Sequence, residues 1–155
     1  LLGQRTFGAD APAAIDLAER VTALAALPRR IAAAADDADE TSALIEALTP
    51  LLPLLGMRYA GALPDIPERW GEAFLEARKP LARWLEEALD IRVIAPARAD
   101  RFDAATMEAA ETRRTVHAAE NDTVMRVDRV GLARRGEALV RAIVVRYAAE
   151  GAAQS

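Results

Sequence analysis

The stretch "TVMRVDRVGLARRGEALVRAIVV", from Thr123 to Val145, decides the fold because its residue types differ from those before it. Upstream, Ala, Leu, Glu and Arg dominate and apolar residues recur every three or four positions, which is typical of amphipathic helices. In this stretch β-branched residues cluster and the apolar spacing shortens toward two, which favours strands. The sequence therefore predicts an α+β protein, with an N-terminal helical stalk or bundle followed by a small C-terminal antiparallel β domain.

Composition narrows the classes of protein and of partner. The 155 residues contain no cysteine and carry a formal net charge of -4. The lack of cysteine excludes disulfides and thiolate chemistry, and it agrees with a reducing compartment, for which the cytoplasm is the expectation. Acidic and basic residues are interspersed, so no block favours nucleic acid or an anionic membrane as a partner. No basic segment precedes a long apolar run, and we expect neither a signal peptide nor a transmembrane span.

The first 90 residues predict helices whose apolar residues form stripes. Asp10 and Pro12 should open the first helix, and Pro28 should kink it. A second, leucine-rich helix contains Pro50 and Pro53 and should be irregular, because each proline lacks a backbone donor. Such stripes predict packing against other helices, either within the chain or from a second copy. Because one small chain can only partly cover three of them, we expect a homodimer made through the helical half. Its contacts, here called the leucine stripe, are Leu44, Leu48, Leu51 and Leu55.

A third helix follows the break "GALPDIPERW". Asp65 and Glu68 lie three residues apart and predict a capping box at its start. Its two tryptophans lie two heptads apart, which favours core packing over a ligand cage. The predicted apolar stripe of this helix consists of Trp70, Phe74, Ala77, Leu81, Trp84 and Ala88.

Beyond Leu89 the pattern changes toward strands. "IRVIAP" predicts a short strand, and a brief helix is expected from Asp103 to Ala110, with Asp103 as its cap. Strands are then predicted at "RRTVHA", "TVMRVDRV" and "ALVRAIVVRY", with "AEND" and "GLARRG" as turns, in one small antiparallel sheet. The residues also permit a single amphipathic helix from Arg134 to Ala149. The resulting regions are a helical region 1–90, a connection 91–110 and a β domain 111–155.

Three motifs carry a resemblance to a known family. "LLPLL" lies in the second helix, "FDAATMEAA" precedes the first long strand region, and "TVMRV" is followed four residues later by a glycine. In this order they resemble the GrpE family of nucleotide exchange factors for DnaK-type chaperones. That family has Leu-Leu-Pro-Val-Leu, a Phe-Asp-Pro segment ending in His-Glu-Ala, and a Thr-Val-x-x-Val strand before a glycine. The matching residues in the last two motifs are Phe102, Asp103, Glu108, Ala109, Thr123, Val124, Val127 and Gly131.

The resemblance implies a dimeric helical stalk that ends in a compact β domain. It implies that the β domain binds the ATPase domain of a DnaK-type chaperone and lowers its affinity for ADP by linkage, without a cofactor. Glu137 stands where the family has arginine, so either the partner has changed in step or exchange is weakened. Carried over by position, the predicted partner-binding residues are Asp128, Gly131, Leu132, Glu137 and Arg146.

Other polar groups are predicted to be structural. His117 is the only histidine and has no nucleophile or carboxylate at a spacing that identifies a triad, so a strand-face position is favoured. Arginine pairs have acidic neighbours and are expected on a solvated surface. An acidic group lacks the glycine and the terminal glutamate of a Ca²⁺ loop, so a solvated turn between helices is favoured. This acidic group is Asp36, Asp37, Asp39 and Glu40.

The sequence leaves two other functions open. A homodimeric scaffold or adaptor would keep the GrpE-like fold without exchange activity. An unrelated helical regulatory protein would have helix where strands are predicted. No catalytic residue, no metal site and no cofactor is predicted, and the chain is not expected to be an enzyme.

Overall fold

The computed structural model describes residues 12–63 and 66–150, and the chain divides into two units between Arg83 and Trp84. The predicted helix opening at Asp10 and the capping residue Asp65 lie outside the described residues. Short 3₁₀ turns join the first helix to the second and the third to the fourth. The helices are α1 (Pro12–Ala23), α2 (Leu27–Ala32), α3 (Asp37–Leu48), α4 (Leu52–Leu55) and α5 (Glu68–Leu89).

Prolines interrupt the helices in the N-terminal unit. A 3₁₀ turn at Leu24–Ala26 precedes Pro28, which lies in the first turn of α2, so the predicted kink is confirmed. Pro50 lies in the second 3₁₀ turn and Pro53 in α4, which confirms the predicted irregularity. Pro28, Pro50 and Pro53 are tolerated because each lies in the first turn of its element, where the missing N–H has no partner in any case. Pro80 differs, since helix α5 continues across it.

The acidic group is a helix start and not a turn between helices. Asp36 is the N-cap of α3, and its Oδ1 accepts a hydrogen bond from the Asp39 backbone N–H at 2.8 Å. Asp37, Asp39 and Glu40 lie in the first turn. Negative side chains are favourable at this end of the helix dipole. The predicted turn is therefore wrong for these three residues, whereas the predicted solvent exposure is confirmed for Asp37 and Asp39.

The leucine stripe forms the core of the N-terminal unit. Leu44, Leu48 and Leu51 are 0% exposed in the single chain, and Leu55 is 3% exposed. Helix α3 packs against α2, and the 3₁₀ turn at Thr49–Leu51 packs against α1. Side chains without exposed area cannot contact a second copy. The predicted role of the leucine stripe as a dimer interface is therefore corrected to an intrachain core, because the proline interruptions let one chain fold back over it.

The buried stripe of α5 differs from the predicted one in its second half. Ala77 and Ala88 are exposed and Trp84 is half-buried, whereas Leu85 and Leu89 are buried. The stripe moves by one residue where the helix passes into the second unit. Burying leucine also removes more apolar area from water than burying alanine. The buried residues of α5 with large apolar side chains are Trp70, Phe74, Leu81, Leu85 and Leu89.

The C-terminal unit contains six strands in two three-stranded sheets. The first sheet has the order β1-β4-β5 and is antiparallel; the second has the order β2-β6-β3, in which β2 and β6 are parallel. The α+β class is therefore confirmed, but the single antiparallel sheet is wrong. The strands are β1 (Ile91–Ile94), β2 (Met107–Thr115), β3 (Val124–Arg129), β4 (Gly131–Arg134), β5 (Glu137–Val140) and β6 (Ala142–Ala149).

The alternative of one helix from Arg134 to Ala149 is wrong, because β5 and β6 occupy this region. The stretch "GLARRG" is not a turn as a whole, since β4 fills most of it. Only Arg135 and Gly136 form the tight turn, with φ of 53° and 82°. Two successive residues with positive φ are typical of the turn that matches the twist of a two-stranded hairpin.

The predicted helix from Asp103 to Ala110 is also wrong. A single turn precedes β2, with Asp103 Oδ1 accepting from the Ala105 N–H at 3.0 Å and its carbonyl accepting from the Met107 N–H at 2.8 Å. Met107 then enters a buried cluster, which favours extended chain over helix from that residue onward. Strand β2 ends before His117, which is exposed in the following turn and not on a strand face.

The segment 91–110 belongs to the β unit and is not a connection. In β1, Ile91 pairs with Arg134 of β4, and Met107 of β2 pairs with Ala142 of β6. The Arg134 Nε also donates to the carbonyl of Leu89 at 3.1 Å, at the end of α5. Across residues 12–63 and 66–150, no helix combines the length and the apolar character needed to cross a bilayer.

Candidate partner-binding surface

The structure separates the five predicted partner-binding residues. Gly131 and Leu132 lie on β4 and Glu137 on β5, in the first sheet. Asp128 lies on β3 and Arg146 on β6, in the second sheet. The five residues are therefore divided between the two sheets.

Gly131 and Leu132 are structural residues, and their predicted contact with a partner is wrong. A Cβ on Gly131 would collide with the backbone of the segment that joins β5 to β6, including the Arg141 carbonyl carbon at 2.8 Å. Glycine is needed because two backbone segments cross closely at this point. Leu132 is 0% exposed and pairs with Val93 and Val140. Neither residue offers surface to another protein.

Glu137 lies on the wall of a shallow groove in the β unit. The groove has a volume of about 390 Å³ and runs between the turn before β2 and the strand β5. Its lining combines four small residues and one leucine with one carboxylate and one guanidinium. The lining residues are Ala105, Thr106, Gly136, Glu137, Ala138, Leu139 and Arg141.

Hydrogen bonds hold the two walls of this groove together. The carbonyl of Thr106 accepts from the Ala142 N–H at 2.9 Å. Arg141 Nη1 reaches the carbonyl of Ala104 at 3.4 Å, and the carbonyl of Arg141 accepts from Arg129 Nη2 at 3.3 Å. The junction of β5 and β6 is thus tied to the turn on one side and to β3 on the other. The groove is a preformed surface with a negative and a positive group on it.

Arg141 lines the groove but was not among the site residues predicted from the sequence. It is a single exposed residue between the apolar ends of β5 and β6, at the point where the chain passes from one sheet to the other. The signal in the sequence is a charged residue between "ALV" and "AIVV". A continuous strand across "ALVRAIVVRY" would hide this change of sheet, and the sequence predicted such a strand.

Asp128 and Arg146 lie outside the groove lining. Asp128 is exposed on β3 and accepts from Arg126 Nε at 3.0 Å. The Arg146 side chain is 28% exposed, pairs with Asp122 at 3.5 Å and lies 4.7 Å above the ring of Phe102. Arg146 lies five positions after Arg141 in the chain, or roughly 17 Å away at the rise of a strand. Arg146 therefore covers the aromatic residue of its own unit.

No metal-binding cluster is found among the described residues, where no three His, Cys, Asp or Glu side chains are suitably grouped. The exposed His117 donates its backbone N–H to Thr115 Oγ1 at 3.2 Å, and the same hydroxyl donates to Glu120 Oε1. These contacts stabilise the turn after β2. What the groove offers chemically is two opposite charges and hydrogen-bonding groups.

The sequence matches no known protein family, and no curated protein is similar to it. The resemblance to GrpE therefore rests on the motif residues of the sequence alone. Phe102 and Val127 pack against a buried cluster that contains Val124. Thr123 bridges to Arg101, and its hydroxyl donates to the carbonyl of Glu120 at 2.6 Å.

Proposed function

We propose that this chain is a GrpE-like co-chaperone, a nucleotide exchange factor that binds the ATPase domain of a DnaK-type chaperone through its β unit. The supporting observation is the placement of the motif residues that carry the resemblance. Phe102, Val124 and Val127 lie in one cluster with Met107 and Val144. Motifs separated along the chain are thus brought together, as they would be if they specified one β domain.

The glycine that ends the strand motif supports the proposal independently. Gly131 occupies a position that no larger residue fits, because the backbone at Val140 to Ala142 passes against it. A family whose domain has this crossing would require glycine at this position for the same steric reason. The motif residues therefore act mainly on the fold of the domain, and contact with the chaperone falls to exposed residues such as Glu137.

The proposed activity is a shift of a conformational equilibrium. A protein that binds the open form of an ATPase domain better than the closed form lowers that domain's affinity for ADP. Moving a cleft from mostly closed to mostly open takes about 5.5 kcal/mol of differential affinity. Only an extensive interface supplies this, so the groove would be one part of the contact. The chain performs no bond chemistry and needs no cofactor in this role.

Release of a fluorescent ADP analogue from the DnaK-type chaperone of the same source tests the proposal. The unmodified chain should accelerate release, and Glu137→Arg should change that acceleration because it reverses the charge on the groove wall. With a chaperone whose surface is complementary to the family's arginine, Glu137→Arg should strengthen exchange through a charge-assisted contact of roughly 1.5 to 3 kcal/mol. With a co-adapted chaperone, it should weaken exchange by setting like charges against each other.

A matched charge reversal at Glu87 provides the control, because Glu87 is exposed on α5 and does not line the groove. Glu87→Arg should leave the rate unchanged. No acceleration by the unmodified chain, together with no response to Glu137→Arg, would reject exchange activity. A homodimeric scaffold or adaptor would then be the better proposal.

A further inference from the structure

Strand β2 is an edge strand that is open on one side. It pairs with β6, and the order of its sheet leaves no described strand beside its other edge. Glu108 and the residues 110–114 are exposed. Val116, directly after the strand, is 76% exposed. An open edge presents unpaired backbone groups that another strand can bind.

The direction of the backbone groups follows from the last bond of the strand. The carbonyl of Thr115 accepts from the Glu150 N–H at 2.9 Å, so the backbone of Thr115 points toward β6. The register with β6 is regular from Glu111 to Thr115. Because backbone directions alternate along a strand, the N–H and carbonyl of Thr112 point to the free edge.

Thr112 lies between two opposite charges. Glu111 Oε1 and Arg113 Nε are 2.8 Å apart on one face of the sheet, and their side chains are 48% and 50% exposed. In an antiparallel pairing of two copies, Thr112 can oppose Thr112 of the second copy. Each Glu111 then lies opposite the other copy's Arg113, at a non-hydrogen-bonded position with Cα atoms about 4.5 Å apart.

Neighbouring registers lack this match. Centring the pairing on Glu111 sets two glutamates against each other, and centring it on Arg113 sets two arginines against each other. Like charges directly opposite each other destabilise a strand pair, whereas opposite charges stabilise it. The charge order of β2 is therefore self-complementary in one antiparallel register.

We propose that the free edge of β2 is a homodimer interface, at which a second copy of this chain pairs antiparallel about Thr112. The two sheets then form one six-stranded sheet, and Glu111 and Arg113 of both copies form a ring of four alternating charges. Each copy uses the same edge, so the contact closes on itself and does not propagate. The register shift between Ala109 and Glu111 limits regular pairing to the second half of β2, which also prevents extended edge growth.

Charge reversals in the full chain test this interface. Glu111→Arg makes the site all positive, and Arg113→Glu makes it all negative, so each variant alone should repel its own copies. A 1:1 mixture of the two variants restores both opposite-charge pairs across the interface, although neither chain has its internal pair. Sedimentation velocity should show a dimer for the unmodified chain. Each variant alone should dissociate about tenfold more readily or worse, and the mixture should recover dimers.

Two further variants separate the interface from the fold. Thr112→Pro removes the outward N–H, which an edge strand tolerates, and should also give monomers. Glu87→Arg, a charge reversal away from β2, should leave dimers intact. The interface is overturned if the unmodified chain stays monomeric at hundreds of micromolar. It is equally overturned if either single variant associates as the unmodified chain does, or if the mixture remains monomeric.

Discussion

At the residue scale, Gly131 shows how a motif residue acts through sterics. Its position is buried, and an added methyl group would meet the backbone of the β5–β6 junction and not a flexible side chain. Backbone atoms cannot move aside without shifting both sheets. The sequence placed Gly131 in a motif that resembles the family's, but it could not show that the reason is the close approach of the backbone at Val140 to Ala142.

Gly131→Ala is expected to destabilise the β unit by about 1 to 3 kcal/mol, the usual cost of overpacking, or more because the obstacle is backbone. Urea unfolding followed by circular dichroism measures the change. Gly61→Ala is the matched control, since a methyl group there meets only the Tyr59 ring at 3.7 Å. Equal stability of the two variants would contradict the close backbone approach at Gly131.

Leu48 was predicted correctly to lie on an apolar stripe, but the surface that covers it was not predicted correctly. Its stripe spacing identified an apolar surface that must be covered. Whether a second copy or the same chain covers this surface depends on how the proline interruptions orient the helices. The spacing of the apolar residues does not predict that orientation. In the structure Leu48 is 0% exposed within one chain.

Leu48→Asp is therefore expected to unfold the N-terminal helices and not merely to dissociate a dimer. A buried unpaired carboxylate and the lost apolar contacts should cost about 3 kcal/mol or more. Thermal unfolding of the full chain measures this loss. Arg29→Asp, at an exposed site on α2, should change little. A folded, monomeric Leu48→Asp variant would restore the dimer role of the leucine stripe.

At the element scale, long local patterns were predicted well and non-local pairing was not. The strand at "TVMRVDRV" and the strand at "IRVIAP" are confirmed, because period and residue type agree there. The segment "FDAATMEAA" is rich in alanine and suits a helix locally, but most of it forms a turn and the start of β2. Pairing with β6, more than thirty residues later, overrides the local preference.

Helix α3 shows an element whose start is set by one side chain. Asp36 has an extended backbone and accepts the N–H of Asp39, which satisfies one of the free donors at the helix start. Asp36→Ala should lower the stability of the N-terminal unit by about 1 kcal/mol. Asp37→Ala removes a first-turn charge but no cap and should cost less. Chemical denaturation of both variants measures the two losses of stability. An equal loss of stability in the two variants would contradict the capping role of Asp36.

At the scale of the whole molecule, the helix-to-strand order was predictable and the arrangement of the strands was not. The change in residue type near Leu89 predicted where strands begin. The boundary between the units lies a few residues earlier, within α5, because the end of that helix is buried with the strands. The chain passes from one sheet to the other at Val130 and at Arg141. An apolar residue at every second position is expected both for one continuous strand and for two strands in different sheets, so the sequence does not distinguish the two cases.

The candidate site was predictable only in part for the same reason. Glu137 was named from its place in a family segment and lies on the groove wall. Thr106 and Arg141 join it there because the turn before β2 and the β5–β6 junction meet in the fold. Leu132 was named from a different family position, the residue after the motif glycine, and it is 0% exposed in β4.

Hydrogen–deuterium exchange of the full chain, with and without the nucleotide-free ATPase domain of the DnaK-type chaperone from the same source, tests the central claim most directly. If the β unit binds that domain through the groove, amides in 103–106 and 136–141 should become protected. Amides in 12–63 should exchange as before. Absence of protection in both groove segments at a saturating concentration of the ATPase domain would contradict the account.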